Sequence, residues 1–295
     1  MLVVKYRKIF FAISGIIVAA SIGAIVVLGL NFGIEFTGGE IAEIHYDVRP
    51  ERNVVEEQID ALDLGAYSLR AAGENEYILR VRPLEEGERE NVFAAITETG
   101  GAVERFNSIG PTIGKELRAK AWLAMVAVML AIILFIAIAF RKVSEPVSSW
   151  KYGFIAVIAL GHDVIVPTGL FAVLGFLFGA EVNVLFIMAL LAIIGYSVND
   201  TIVVFDRVRE NLTDNEESNK KEDFEITVGK SLNQTYMRSI NTSLTTLVVL
   251  LSLFFIGAGV TQDFALVLIT GVLAGTFSSL FLATPLLVTM EKRGK

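Results

Sequence analysis

The chain has 295 residues, 54% hydrophobic and 19% charged, with a mean hydropathy of +0.61 and a formal net charge of −7. It has no cysteine and two histidines, His45 and His162, which excludes disulfides, thiolate metal centres and a histidine-rich metal site. The charge lies outside the apolar runs, and its acidic balance argues against nucleic acid as a partner.

Six apolar runs reach the roughly 20 residues needed to cross a hydrocarbon core. They fall at 9–30, 119–140, 150–178, 183–205, 239–258 and 263–289. The first is too long for the apolar part of a cleaved signal and has no cleavage site before the polar segment, so it reads as a retained anchor. The expected organisation is an N-terminus with first span (1–30), a polar domain (31–118), spans two to four (119–205), a polar loop (206–238), and spans five and six with a tail (239–295). Lysine and arginine mark one side: Lys5, Arg7 and Lys8; Arg141, Lys142 and Lys151; Arg207, Arg209, Lys220, Lys221 and Lys230; Lys292, Arg293 and Lys295. The alternate connections, 179–181 and 257–262, carry none. This pattern predicts a multi-pass protein of the cytoplasmic membrane with both termini cytoplasmic and residues 31–118 outside.

Within 31–118, Ala42, Ile44, Tyr46 and Val48 alternate as on a strand. Val55, Ile59 and Leu62 then recur at helical spacing. "AYSLRA" and "YILRV" alternate around a Gly73-Glu-Asn turn, a second helix places Val92, Phe93 and Ile96 inward, and a weaker strand covers Val103–Ser108. The order β-α-β-β-α-β predicts a ferredoxin-like α+β domain on a six-helix membrane protein. No catalytic constellation is visible in it, and it reads as a binding or lever module.

An ionisable residue in the bilayer interior costs about 2.5–3.5 kcal/mol on insertion scales, so it usually lines a cavity or faces a partner. Asp200 lies about two turns inside the fourth span, with Ser197, Asn199 and Thr201 around it. The apolar "TIVVF" separates it from the boundary charges Asp206 and Arg207. Arg238 opens the fifth span, and Asn241, Thr242, Thr245 and Thr246 follow as a polar stripe. Asp200 and Arg238 therefore read as a facing charge pair. His162 and Asp163 sit midway along the third span, four residues before Pro167, which removes the hydrogen bond to the residue-163 carbonyl and predicts a kink. They read equally as a second proton relay and as a hydrogen-bonded packing pair. Gly271 and Gly275 form a small-xxx-small pattern that lets helices approach.

"GLNFGIEFTGGE" after the first span, "GYSVNDTIVVFDRVREN" in the fourth and "RSINTSLTTL" in the fifth resemble the bacterial SecF family. The resemblance covers the whole chain. It implies membership of the resistance-nodulation-division superfamily, a SecD-like partner supplying six further spans, association with a SecY-type translocon, and unfolded preprotein as substrate. It also implies proton influx as the energy source, with Asp200 and Arg238 in the proton route, no cofactor other than the coupling proton, no metal and no enzymatic activity. The family's "DFTGG" reads "EFTGG" here, with Glu35 in place of Asp. Three readings compete. An intramembrane aspartyl protease would use Asp163 and Asp200, but its Gly-x-Gly-Asp motif is absent. A small-molecule exporter of the same superfamily would carry a much larger outer domain. A passive translocon scaffold would tolerate replacement of Asp200.

Overall fold

The computed structural model describes residues 2–65, 67–139, 149–257 and 259–292. The expected span ends at 140 and 258, and the basic residues Arg141, Lys142, Arg293 and Lys295, lie outside the described residues. After a short helical turn at Leu2–Lys5, the elements are α1 (Arg7–Leu28), β1 (Gly39–Tyr46), α2 (Arg52–Asp60), β2 (Ser68–Ala72), β3 (Glu76–Val81), α3 (Glu86–Glu98), β4 (Gly101–Ile109), α4 (Pro111–Ala139), α5 (Ser149–Phe178), α6 (Val184–Glu217), α7 (Phe224–Ile256), α8 (Val260–Phe277), a π-helical turn at Ser278–Ala283, and α9 (Thr284–Lys292). Among the described residues, six helical segments are long and apolar enough to cross a membrane: α1, α4, α5, α6, α7 and the run from α8 through α9. The chain divides into two compact units. One holds Met1–Asn31, Ala124–Ala180 and Leu185–Lys295, the other Phe32–Leu123 and Glu181–Val184.

The second unit contains one sheet in the order β2-β3-β1-β4, every neighbour antiparallel, with α2 and α3 in the two crossovers. This is the ferredoxin-like arrangement. Ala42, Ile44 and Tyr46 alternate into its core with Val55, Ile59, Leu69, Leu79 and Ile96. Val48 does not join them: the strand ends at Tyr46, and Val48 is 83% exposed. Pro50, two residues on, has no N–H to give a ladder, so the chain leaves the sheet early. Tyr46 and Tyr77 meet edge to face, and the Tyr46 hydroxyl pairs with Thr99 Oγ1 at 3.0 Å.

At the entry to β1, the chain turns through two glycines that no other residue replaces freely. Gly38 has φ +76° and Gly39 φ +144°. A Cβ on Gly38 would lie 2.8 Å from Pro111 Cα, and one on Gly39 would lie 2.6 Å from the Val81 carbonyl oxygen. Glu35, the family departure, sits in the first turn of the short helix Ile34–Thr37 just before this point. The Glu181–Val184 segment is held in the same unit by a parallel bridge between Phe32 and Val182, by Gly33 N–H donating to the Val182 carbonyl at 2.9 Å, and by ion pairs from Arg80 and Arg70 to Glu181.

At the start of α3, Glu88 accepts from Arg82 through both oxygens, at 2.8 and 2.5 Å, and from the Glu85 N–H at 3.0 Å. The Arg82 hydrogen bonds, followed by the backbone one, depress its carboxyl from the usual 4.5 to about 2. A depressed folded-state value means that this contribution to stability is full above pH 4.5 and fades as pH falls toward 2. Glu88→Gln should therefore lower the unfolding midpoint by a constant amount near neutrality. That difference should shrink to nothing on acidification, and a pH-independent gap in thermal melts would refute this origin.

In the first unit, small residues set the close helix approaches. Gly169 of α5 lies directly against Ser21 of α1, with no room for a side chain. Gly271 and Gly275 of α8 face Ile193 and Ser197 of α6, so the small-xxx-small pattern serves an approach within the chain. α5 runs as one helix through Pro167, and Thr168 Oγ1 donates to the Val164 carbonyl at 2.7 Å.

The expected polar loop at 206–238 is largely absent. α6 continues to Glu217 and α7 begins at Phe224, so 218–223 alone connect them. Charge suggested a loop, but Val204, Phe205, Val208 and Asn211 are buried at helical spacing, and that periodicity prevails. Asn219 at φ +51° ends α6, and the Asp223 carboxylate caps α7 by accepting from the Glu225 N–H at 2.9 Å. Asn211 cross-links the hairpin, donating to Ser231 Oγ at 2.7 Å and Gln234 Oε1 at 2.8 Å. Asn211→Ala leaves Ser231 without that donor, and a destabilisation of about 1–3 kcal/mol is expected in denaturant titration. An unchanged midpoint would show that the hairpin does not rely on this amide.

Candidate functional site

The polar residues of the membrane helices separate into two groups around α6. Ser197, Asp200 and Thr201 are all buried on this helix, Asp200 at 8% exposure. Their neighbours differ because successive residues point about 100° apart on a helix.

Asp200 faces α7. The groups that bear on its carboxylate are the Ser239 hydroxyl and the charge of Arg238. Asp200 Oδ2 and Ser239 Oγ are both enclosed without a hydrogen bond. Arg238 itself is exposed, and among the described residues it forms no direct ion pair with Asp200. The charge pair read from the sequence is thus a through-space relation. Arg238 borders an open groove of about 260 Å³ between α6 and α7, lined also by Val203, Asp206, Arg207, Glu210 and Thr235.

The stripe expected to face Asp200 points elsewhere. Asn241, Thr242 and Thr245 are exposed and Thr246 is half-buried, with the three threonines bonded back to carbonyls one turn earlier. The buried polar face of α7 is instead Thr227, Ser231, Thr235, Ser239 and Ser243, a hydroxyl at every fourth residue. Ser243 accepts from the Tyr196 hydroxyl of α6 at 3.2 Å and pairs with Thr276 of α8 at 2.5 Å. Two faces of α7 carry polar residues. The sequence reading chose the one holding the asparagine, whereas small hydroxyls that satisfy themselves on their own backbone pack more readily inside. Asn199 is likewise exposed and takes no part in the enclosed cluster.

The second group centres on Asp163 of α5, which is wholly buried. His162 Nδ1 lies 2.9 Å from Asp163 Oδ1. Ser197 Oγ donates to Oδ2, as does Ser278 Oγ at 2.8 Å. His162 Nε2 is enclosed without a partner, and its ring stacks on Phe277. The Thr201 hydroxyl makes no hydrogen bond to Asp200 among the described residues and pairs with Ser279 Oγ at 2.8 Å. The sequence reading missed Ser278, Ser279 and Ser239; the Ser-Ser pair within the last apolar run was the visible signal. No group of three or more metal-ligating side chains occurs among the described residues.

Residues 90–293 match the family model described as "Protein export membrane protein SecD/SecF, C-terminal", and residues 23–47 match the SecD/SecF GG motif, which contains Gly38 and Gly39. The protein translocase subunit SecF of Thermobaculum terrenum is 37% identical over 308 residues, covering 99% of this chain and 94% of that protein. The chain belongs to the SecF family. The SecF of Anaerolinea thermophila is also 37% identical, covering 97% of this chain and 92% of the relative. A crystal structure of SecDF, a translocon-associated membrane protein from Thermus thermophilus, matches with a TM-score of 0.83 at 30% identity over 98% of this chain. SecDF in a super-membrane-facing form matches with a TM-score of 0.67 at 29% identity. The chain spans 38% of the length of each SecDF chain. SecF membership and the six apolar helices make this a multi-pass membrane protein and a component of protein export.

Proposed function

We propose that the chain is the SecF-type half of a protein-export machine in which proton influx drives late steps of preprotein translocation. The observation that carries this reading is Asp200: a carboxylate in a membrane helix, enclosed, with one oxygen lacking any hydrogen-bond donor. A group so placed is a functional candidate by default, because ionised and protonated forms differ sharply in what they require of their surroundings. Arg238 and the hydroxyl of Ser239 are the groups positioned to respond when Asp200 gains or loses a proton.

On this reading the exposed face of Arg238, Asn241, Thr242 and Thr245 meets a SecD-like subunit, and the pair works beside a SecY-type translocon on unfolded preprotein. The basic residues at the termini and in the α6–α7 connection support a cytoplasmic side there, with the sheet-bearing unit outside. One proton crossing a 100 mV potential releases about 2.3 kcal/mol. That biases a two-state element by roughly fifty-fold. α1 and α4, the helices on either side of the sheet in the chain, would carry the change to the outer domain. The chain acts as a transport component and not as an enzyme, with the proton as coupling ion.

The test is export of a secreted reporter in cells depleted of the native protein and rescued with wild type or Asp200→Asn at matched membrane levels. Wild type should restore export that an uncoupler abolishes, and Asp200→Asn should restore at most a tenth of it. Full rescue by Asp200→Asn would leave a scaffold role in place of a proton-driven one.

A further inference from the structure

The π-helical turn at Ser278–Ala283 has a local cause and an unusual setting. Pro285 has no N–H and its ring would collide with the carbonyl four residues earlier, that of Phe281, so the helix widens just before it. Such turns are rare and recur at functional sites. Here the first two residues of the wide turn are fastened to two other helices. Ser278 donates to Asp163 of α5, and Ser279 pairs with Thr201 of α6 and lies 3.5 Å from the Ser197 carbonyl. Asp163 simultaneously accepts from Ser197 of α6. Thr284 closes the turn by donating to the Ser279 carbonyl at 2.8 Å, a span of five residues.

Ser197 and Thr201 flank Asp200 on the same helix, three residues before it and one after. Any rotation or slide of α6 when Asp200 changes state therefore moves both groups that grip the wide turn. We propose that Ser278–Ala283 is a register switch, and that Asp163 is the positioning residue that couples it to α6 by holding Ser197 and Ser278 on one carboxylate. Resting on the proton-driven reading above, this makes the wide turn the bistable element that converts a proton on Asp200 into displacement of α9. Rewinding of the wide turn to ordinary α-helical geometry turns the following helix by about 100° relative to α8.

The groups facing Asp163 are few. His162 is the titratable one in contact; α6 and the wide turn present the hydroxyls of Ser197 and Ser278, and α1 meets α5 at Gly169 through Ser21. Asp200 in turn faces Arg238 and Ser239 from α7. A pH response relayed to the wide turn thus has two origins to separate, Asp200 and the His162–Asp163 pair.

The chain has no native cysteine, so spin labels at Leu273→Cys and Lys292→Cys, both exposed, report the distance across the turn without background. Measurements use the full chain in membranes, co-produced with its SecD-type partner, between pH 8 and pH 5. Wild type should give two distance populations whose ratio changes at least tenfold with pH. Asp163→Asn and Ser278→Ala should each freeze that ratio and cut export at least tenfold, with Asp200 untouched. Ser278→Ala removes one oxygen at nearly constant volume, so it carries the test if Asp163→Asn does not accumulate. A wild-type response in Ser278→Ala, with normal export, would overturn the coupling while leaving the proton-driven reading intact. A response that persists in Asp200→Asn together with full export would overturn the proton-driven reading instead. A single pH-independent distance in a wild-type complex that exports normally would dismiss the register switch.

Discussion

Replacing Arg238 by alanine should stop proton-coupled export while leaving the stability of the chain within about 0.5 kcal/mol of wild type. The two halves of this expectation have separate grounds. Arg238 is exposed, makes no ion pair among the described residues, and fills no core position, so its removal costs the fold little. Its charge nevertheless bears on Asp200, and it borders the groove between α6 and α7. Without it the carboxylate loses the cation that, among the described residues, bears on it, and keeps its enclosed setting beside Ser239. Export from cells carrying Arg238→Ala should drop at least tenfold, and Arg238→Lys should recover part of it, because charge returns without the fork of donors. An inactive variant with a lowered unfolding midpoint would instead make Arg238 a structural residue.

Gly39→Ala should unfold the sheet-bearing unit first, with a loss of about 3 kcal/mol or more. Two penalties coincide at this position. The backbone sits at φ +144°, which L side chains rarely adopt, and the added methyl would lie 2.6 Å from the Val81 carbonyl oxygen, a backbone atom that cannot rotate away. Val81 pairs with Glu40 across the β1–β3 ladder, so yielding there would disturb the sheet centre. Gly87→Ala is the matched control: its Cβ would meet nothing within 4 Å, and alanine in a helix is expected to gain about 0.5–1 kcal/mol. Thermal melts and protease resistance of the full chain read both. Equal midpoints for the two variants would show that the tight turn is not required for the unit to hold together.

The architecture was legible because it rests on periodicity. Runs of apolar residues marked the spans, alternation at Ala42, Ile44 and Tyr46 marked β1, and the β-α-β-β-α-β succession marked a ferredoxin-like sheet. The failures occurred where two signals competed. Between 206 and 238 the density of charge outweighed the helical recurrence of Val204, Val208 and Asn211, although a helix extending beyond a membrane needs charge on its outer face. The site was half legible. Asp200, Asp163, His162, Ser197 and Thr201 stood out as polar residues in apolar runs, and all five are buried. Which of them touch one another depends on the rotational phase between helices, and that is set by glycine contacts such as Gly275 on Ser197. No spacing within one helix reports that phase. For the same reason, Asn241, Thr242 and Thr245 were assigned to the inside when Ser239 and Ser243 hold that face.

The outward direction of Arg238, Asn241, Thr242 and Thr245 has a bearing on how cells handle the chain before it is assembled. Left alone in a bilayer, this face exposes the Arg238 guanidinium at the opening of the fifth span. It also exposes the Asn241 amide, which makes no side-chain hydrogen bond among the described residues. If this stripe meets the partner subunit as proposed, an unassembled copy presents it to lipid instead.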